Sequence, residues 1–317
     1  MKSILVTGGA GFIGSHIVDR LLKQDAKVIC LDNFNEFYDP RLKENNISKA
    51  MAHPGFTLVK GDILDSNLLA KVFSENEIEV VVHLAALAGV RPSLISPARY
   101  VEVDVEGTVN LLEKCKESRA KFVFGSSSSV YGVNEKVPFS EDDATELQVS
   151  PYAAAKKAAE IYCKTYNRLY GIPVTILRFF TVYGPRQRPD MAIRKFTALM
   201  SEGKPIPMYG DGNSERDYTY IDDAVDGVIS AIEKNYDFEV FNIGNSKTIR
   251  LTDLIELIGR KLGVKPIIEE LLEQPGDVPI TYADISKAQR MLDYNPKTSI
   301  EDGIERFIEW FKFNSNS

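Results

Sequence analysis

The sequence predicts an α/β protein: a doubly wound parallel sheet with helices on both faces, followed by a smaller C-terminal α/β lobe. Three observations carry that prediction. In the first half, short β-branched apolar runs alternate with longer helical patterns, as strand–helix–strand units require. The runs are apolar along nearly their whole length, as strands buried on both faces are, rather than alternating. Beyond Gly184 the pattern is broken by Pro185, Pro189, Pro205, Pro207, Pro266, Pro275, Pro279 and Pro296, which confine it to short elements.

Taken in order, strands are expected over residues 3–7, 27–31, 57–60, 80–84, 122–125 and 174–179, and residues 237–243 read as one more buried strand. Residues 1–180 are therefore expected as the larger domain and 181–317 as the lobe, with the segment near 217–247 returning to the larger domain. Helices are expected from Phe12 through Leu22 and over residues 98–115 and 152–170. A chain of 317 residues exceeds the usual span of one core, in keeping with an appended lobe.

Composition excludes several classes. With 44% hydrophobic and 26% charged residues the chain is ordinary for a globular protein. A formal net charge of -7 argues against a nucleic-acid partner, which calls for a basic face. Cys30, Cys115 and Cys163 are scattered, as are His16, His53 and His83, so no metal site is expected. No stretch approaches the length of a membrane span, and the apolar run Ile4-Leu5-Val6 leaves no room for a leader after Met1. The expectation is a cytoplasmic protein with no membrane partner.

Directly after the first expected strand comes Gly8-Gly9-Ala10-Gly11-Phe12-Ile13-Gly14, opening the first helix. Glycines there permit a tight turn and let amides at a helix N-terminus approach a pyrophosphate. The context completes the fingerprint of a Rossmann-type dinucleotide domain. A second strand follows and ends at Asp32 and Asn33, where the Asp32 carboxylate can accept hydrogen bonds from a ribose and would repel a 2′-phosphate. NAD is thus the expected cofactor. Asp62 with Ile63, and Leu84-Ala85-Ala86, end later strands at the same sheet edge.

Tyr152-Ala153-Ala154-Ala155-Lys156 places a phenol and an ammonium on one face of a helix, where the cation favours the phenolate form of a general base. Ser126 to Ser129 follow the fifth strand and so emerge at the sheet edge, with Ser127 twenty-five residues before Tyr152. With these motifs the sequence resembles the extended short-chain dehydrogenase/reductase family, in its nucleotide-sugar branch, along essentially the whole chain. The resemblance implies that Ser127, Tyr152 and Lys156 act together on a UDP-sugar substrate, and that the protein is an isomerase.

Relatives that dehydrate or decarboxylate carry an acid directly after the catalytic hydroxyl, whereas this chain has Ser128 and Ser129. That leaves oxidation at C4 and return of the hydride to the other face, a 4-epimerisation. The segment from Arg178 through Thr181, Arg186 and Arg188 to Met191 resembles that of UDP-glucuronate 4-epimerases. The resemblance implies that Thr181 and Arg188 hold a C6 carboxylate, for which the planar guanidinium is suited. It likewise implies Arg216 at the diphosphate and Asp277 at the uridine ribose.

Two departures stand out. Related hexose epimerases carry an arginine near the position of Gln274, so one diphosphate contact is either missing here or supplied by Arg186, and Asp104 stands where relatives often show an asparagine near the cofactor. UDP-glucose or UDP-N-acetylhexosamine 4-epimerisation, decarboxylation, net dehydrogenation and a non-catalytic NAD-binding role remain as alternatives. The helices at 98–115 and 152–170 mix small and apolar residues, as the dimer-forming helices of such relatives do, which implies a homodimer.

Overall fold

The structure is a computed structural model that describes residues 2–272 and 276–315; Gln274 lies outside the described residues. Its centre is a seven-stranded parallel sheet. The strands β1 (Ser3–Thr7), β2 (Lys27–Asp32), β3 (Phe56–Lys60), β4 (Val80–His83), β5 (Lys121–Ser127) and β6 (Val174–Phe179) are joined by Phe238–Ile243. The spatial order is Phe238–Ile243, β6, β5, β4, β1, β2, β3, with every pair parallel. The chain moves outward from β1 in one direction to β3 and in the other to β6. The carboxyl ends of β1 and β4 therefore border the crevice where the winding reverses.

Apolar runs become buried strands because each face of the sheet is covered. On β1, Ile4 and Val6 pack with Ile17, Val18 and Leu21 of the helix Phe12–Lys23, whereas Leu5 points the other way into a core with Leu69, Leu111 and Leu112. The strands at 3–7 and 174–179 form over the expected residues, and the edges of the others shift by one or two residues. The largest change is at β5, which runs on to Ser127 by pairing in register with β6 through Ser127 and Phe179.

The segment beyond residue 180 forms smaller sheets. Glu215–Tyr220 pairs with Thr181–Tyr183, Thr248–Arg250 and Ile280–Thr281, and Ile206–Tyr209 pairs with Ile268–Leu271. Between these pieces Phe238–Ile243 pairs with β6 in the main sheet. Among the described residues, no helix is long and apolar enough to cross a membrane.

One expected helix is corrected. Residues 98–115 are not one α-helix: Pro97–Tyr100 leads into a π-helical stretch, Val101–Glu106, before Gly107–Ser118 resumes the α-helix. Val101, Val103 and Val105 are β-branched and disfavour a tight α turn. The wider turn seats Asp104 inside the protein, and Gly107 passes Ile63 so closely that a Cβ would lie 2.4 Å from its Cδ1.

A buried ion pair ties the longest helix to the sheet. The helix Pro151–Tyr170 starts at Ser150, whose side chain accepts from the Ala153 amide, and ends at Gly171 with φ 67°. On it, Glu160 accepts from Arg178 of β6 through both oxygens, at 2.9 and 2.8 Å, and from Ser126 of β5 at 2.7 Å. Glu160→Ala strands the Arg178 guanidinium without its counter-charge. The expected loss is about 3–5 kcal/mol of unfolding free energy, read by chemical denaturation. A loss within 0.5 kcal/mol, the ordinary range for a surface change, would contradict the clamp.

Candidate active site

The turn after β1 is shaped for a close backbone approach. Gly8 has φ +67°, and a Cβ on it would stand 2.8 Å from the Ala85 amide nitrogen. A Cβ on Gly14 would lie 2.2 Å from the Gly8 carbonyl oxygen. Only hydrogen at that position lets the helix Phe12–Lys23 seat its first turn on the loop. The helix begins at Gly11 with no capping side chain and no acid in its first turn, so its end presents amides and a positive dipole to the crevice.

At the end of β2 lies the buried Asp32 carboxylate. It accepts from the Ala10 amide at 3.1 Å and the Phe34 amide at 2.9 Å, and lies 3.5 Å from Lys43. A carboxylate has about four acceptor sites, so capacity remains for ribose hydroxyls. Asn33 donates to Asp62 at 2.9 Å across the neighbouring strand end. A glycine turn with no room for a Cβ and an acid held beside it fit a dinucleotide such as NAD.

Ser127, Tyr152 and Lys156 stand further along the same edge. Ser127 closes β5 and its Oγ accepts from the Ser129 amide at 3.2 Å, while the Ser129 hydroxyl is buried without a partner. Lys156 is buried, donates to the Gly125 carbonyl at 3.1 Å, and lies 5.1 Å from the Phe124 ring centre. Tyr152 packs edge-on against Tyr100, with ring centres 6.1 Å apart. His83, behind this group, links Thr7 (2.8 Å) and Thr108 (3.0 Å), and burial pushes it down to about 3.

On the lobe side, Arg188 is engaged by Asp190 through two bonds of 3.0 and 2.8 Å. Arg216 donates to the backbone oxygens of Glu215 (2.9 Å) and Pro279 (3.3 Å), and burial holds it below its ordinary value. Asp277 pairs with Arg91 at 3.1 Å, and Arg91 in turn lies 4.1 Å from the Tyr209 ring centre.

One cleft of about 500 Å³ collects these groups. Its lining includes Gly8, Gly11, Phe12, Ile13, Gly14, Asp32, Asn33, Asp62, Ile63, Leu84, Ala85 and Ala86 on one side. Ser127, Ser128, Ser129, Tyr152 and Lys156 line it as well, as do Thr181, Arg188, Arg216 and Asp277 from the segment beyond residue 180. Arg186, expected at the substrate, is the one that does not line the cleft. Its backbone turns with φ 65°, and its guanidinium pairs with Asp19 of the helix Phe12–Lys23 at 2.8 Å, away from the cleft. Sequence reasoning missed Lys43, Tyr38 and Arg99, which line the cleft, and Arg91, which lines an adjoining hollow with Arg216 and Asp277. They come from loops and short helices with no motif spacing.

A glycine-turn dinucleotide crevice joined to a Ser–Tyr–Lys group at the sheet edge defines the extended short-chain dehydrogenase/reductase class. Within it, residues 4–244 match the NAD dependent epimerase/dehydratase family, and the chain belongs to that family. UDP-glucuronate 4-epimerase 1 of Arabidopsis thaliana is 44% identical over 98% of this chain and 76% of its own length. The crystal structure of UDP-glucuronic acid 4-epimerase from Bacillus cereus, in complex with UDP-glucuronic acid and NAD, has a TM-score of 0.92. It is 40% identical and covers 98% of this chain and 99% of its own. A UDP-glucose 4-epimerase from Thermotoga maritima, solved with UDP-glucose, has a TM-score of 0.91 at 36% identity over 99% of both chains.

Gly14→Ala tests the crevice. The added methyl displaces the Gly8 carbonyl, so NAD affinity is expected to fall more than tenfold, a cost above about 1.4 kcal/mol, by titration calorimetry. Unchanged affinity would place the dinucleotide elsewhere.

Proposed function

We propose that the protein is an NAD-dependent 4-epimerase that interconverts UDP-glucuronate and UDP-galacturonate through a 4-keto sugar, without decarboxylation. The observation that carries this reading is that Arg188 and Thr181 share one cleft with Tyr152 and Lys156. A cation with planar, bidentate geometry faces the reacting group, as a uronic acid requires and a neutral hexose does not.

Bound NAD supplies a hydride acceptor that can also return the hydride. The side chains manage the rest. Ser127 holds the C4 oxygen, Tyr152 takes its proton and later gives it back, and Lys156 supports the phenolate by its charge. Because Ser128 and Ser129 are hydroxyls, no acid stands beside Ser127 to drive a further elimination. The simplest course is for the ketone to turn over and accept the hydride on its other face.

Oxidation at C4 makes the uronate a β-keto acid, which loses carbon dioxide when its carboxylate swings perpendicular to the ketone. Arg188 and Thr181 restrain that rotation. Asp190 now occupies one edge of the Arg188 fork, so the substrate carboxylate enters in its place or takes the remaining N–H groups. Arg216 faces the diphosphate and Asp277 the ribose, with NAD over Asp32 and the glycine turn. Support comes from the Arabidopsis thaliana and Bacillus cereus relatives, both named for this substrate. The Thermotoga maritima enzyme, equally similar in shape, favours a neutral UDP-hexose as the second reading. Exposed Ile95, Val101, Ile161 and Leu169 on the flanking helices suit a second copy of the chain, and light scattering reads whether the particle has twice the chain mass.

The test is incubation with UDP-glucuronate without added NAD, followed by carbohydrate NMR. UDP-galacturonate with no accumulated NADH is expected; UDP-pentose indicates a decarboxylase, and turnover of UDP-glucose alone indicates the second reading. Arg188→Ala is expected to lower kcat/KM for UDP-glucuronate about 100-fold, close to 3 kcal/mol, and to raise the share of UDP-pentose.

A further inference from the structure

Asp104 is a buried acid that the reaction scheme above does not use. It sits in the widened turn Val101–Glu106 and is 1% exposed. Its Oδ1 accepts from the Leu87 amide at 2.7 Å, anchoring the loop after β4, but its Oδ2 is buried with no hydrogen-bond partner. An interior carboxylate oxygen without a donor is costly unless a positive charge compensates it.

The helix Pro151–Tyr170 packs against this turn, and its Lys156 carries a charge that acts on the carboxylate from beyond ion-pair distance. Burial pushes Asp104 up to about 6, and Lys156 is the largest influence pulling it back. The other groups facing this carboxylate carry no competing charge. Tyr100, on the preceding turn, donates its hydroxyl to the Ala88 and Gly89 carbonyls. Thr108 donates to the Asp104 carbonyl at 2.6 Å and bonds His83 of β4, which burial keeps neutral. Tyr152 lies beyond, against Tyr100.

We propose that Asp104 is a positioning residue for the reaction: its carboxylate balances part of the Lys156 ammonium charge and so sets how strongly Lys156 stabilises the Tyr152 phenolate. With the carboxylate ionised, the phenolate forms at higher pH; with the charge removed, Lys156 acts undiminished and the phenolate forms at lower pH. The structural task of Asp104, accepting from Leu87, needs only its Oδ1. An amide fills it equally well, which separates charge from anchoring. The inference rests on Tyr152 as the proton acceptor of the proposed function, and is independent of which UDP-sugar is turned over.

Asp104→Asn tests it in the NAD-loaded enzyme, with whichever UDP-sugar the wild type converts. The acid limb of the kcat–pH profile is expected to move down by roughly 0.5–1 pH unit with KM little changed. The two profiles should converge below about pH 6, where the wild-type acid carries its proton. A readout without turnover is the pH midpoint of the tyrosinate absorbance, assigned to Tyr152 by its loss in Tyr152→Phe; it is expected to shift in the same direction. If kcat falls by one factor at all pH values and the midpoint stays in place, Asp104 is only an anchor for Leu87 and the proposal is overturned. Asp104→Ser, a second charge-free variant, carries the same test should the amide fail to fold. If the wild type converts no UDP-sugar, the functional reading fails while the tyrosinate midpoint still decides the role of Asp104.

Discussion

The site depends on one buried ion pair. Glu160 sits on the same helix as Tyr152 and Lys156 and grips Arg178 of β6 and Ser126 of β5, the residue before Ser127. Ser127, Tyr152 and Lys156 are thus carried by two elements whose spacing is set by bonds in the interior, where water does not loosen them. The Lys156 bond to the Gly125 carbonyl adds a second tie between the same helix and strand. The proposed proton transfer, which needs its partners within hydrogen-bond reach, is served by this rigidity.

Charge is distributed in the cleft against the grain of the chain. The protein carries a formal net charge of -7, yet Lys43, Arg99, Lys156, Arg188 and Arg216 all line one cleft. A dinucleotide and a nucleotide sugar each carry a diphosphate, for which local cations are suited. Several of these cations are already engaged: Lys43 beside Asp32, Arg188 by Asp190, Arg216 by backbone carbonyls. Bound anions therefore replace or join existing partners rather than meet bare charges.

Much of this was legible in the sequence for a physical reason. Strands buried on both faces are largely apolar, so residues 3–7 and 174–179 announce themselves; a turn with no room for a Cβ must be glycine, so Gly8 and Gly14 do too. Side-chain direction in irregular segments was not legible. Arg186 looks equivalent to Arg188 in sequence, yet a positive φ turns it to Asp19. The π turn at Val101–Glu106 leaves no periodic trace because it is one wide turn inside a helical pattern, and with it the burial of Asp104 was hidden. Lys43 reaches Asp32 from a short helix that only the tertiary fold brings near.

The central claim is that the C4 hydrogen leaves and returns as a hydride without meeting solvent. Conversion of UDP-glucuronate in deuterium oxide, with the deuterium content at C4 of the product read by NMR, tests it most directly. Epimerised product with only protium at C4 is the predicted result. Deuterium at C4 in proportion to turnover would mean that the hydrogen exchanges as a proton, and would contradict the account.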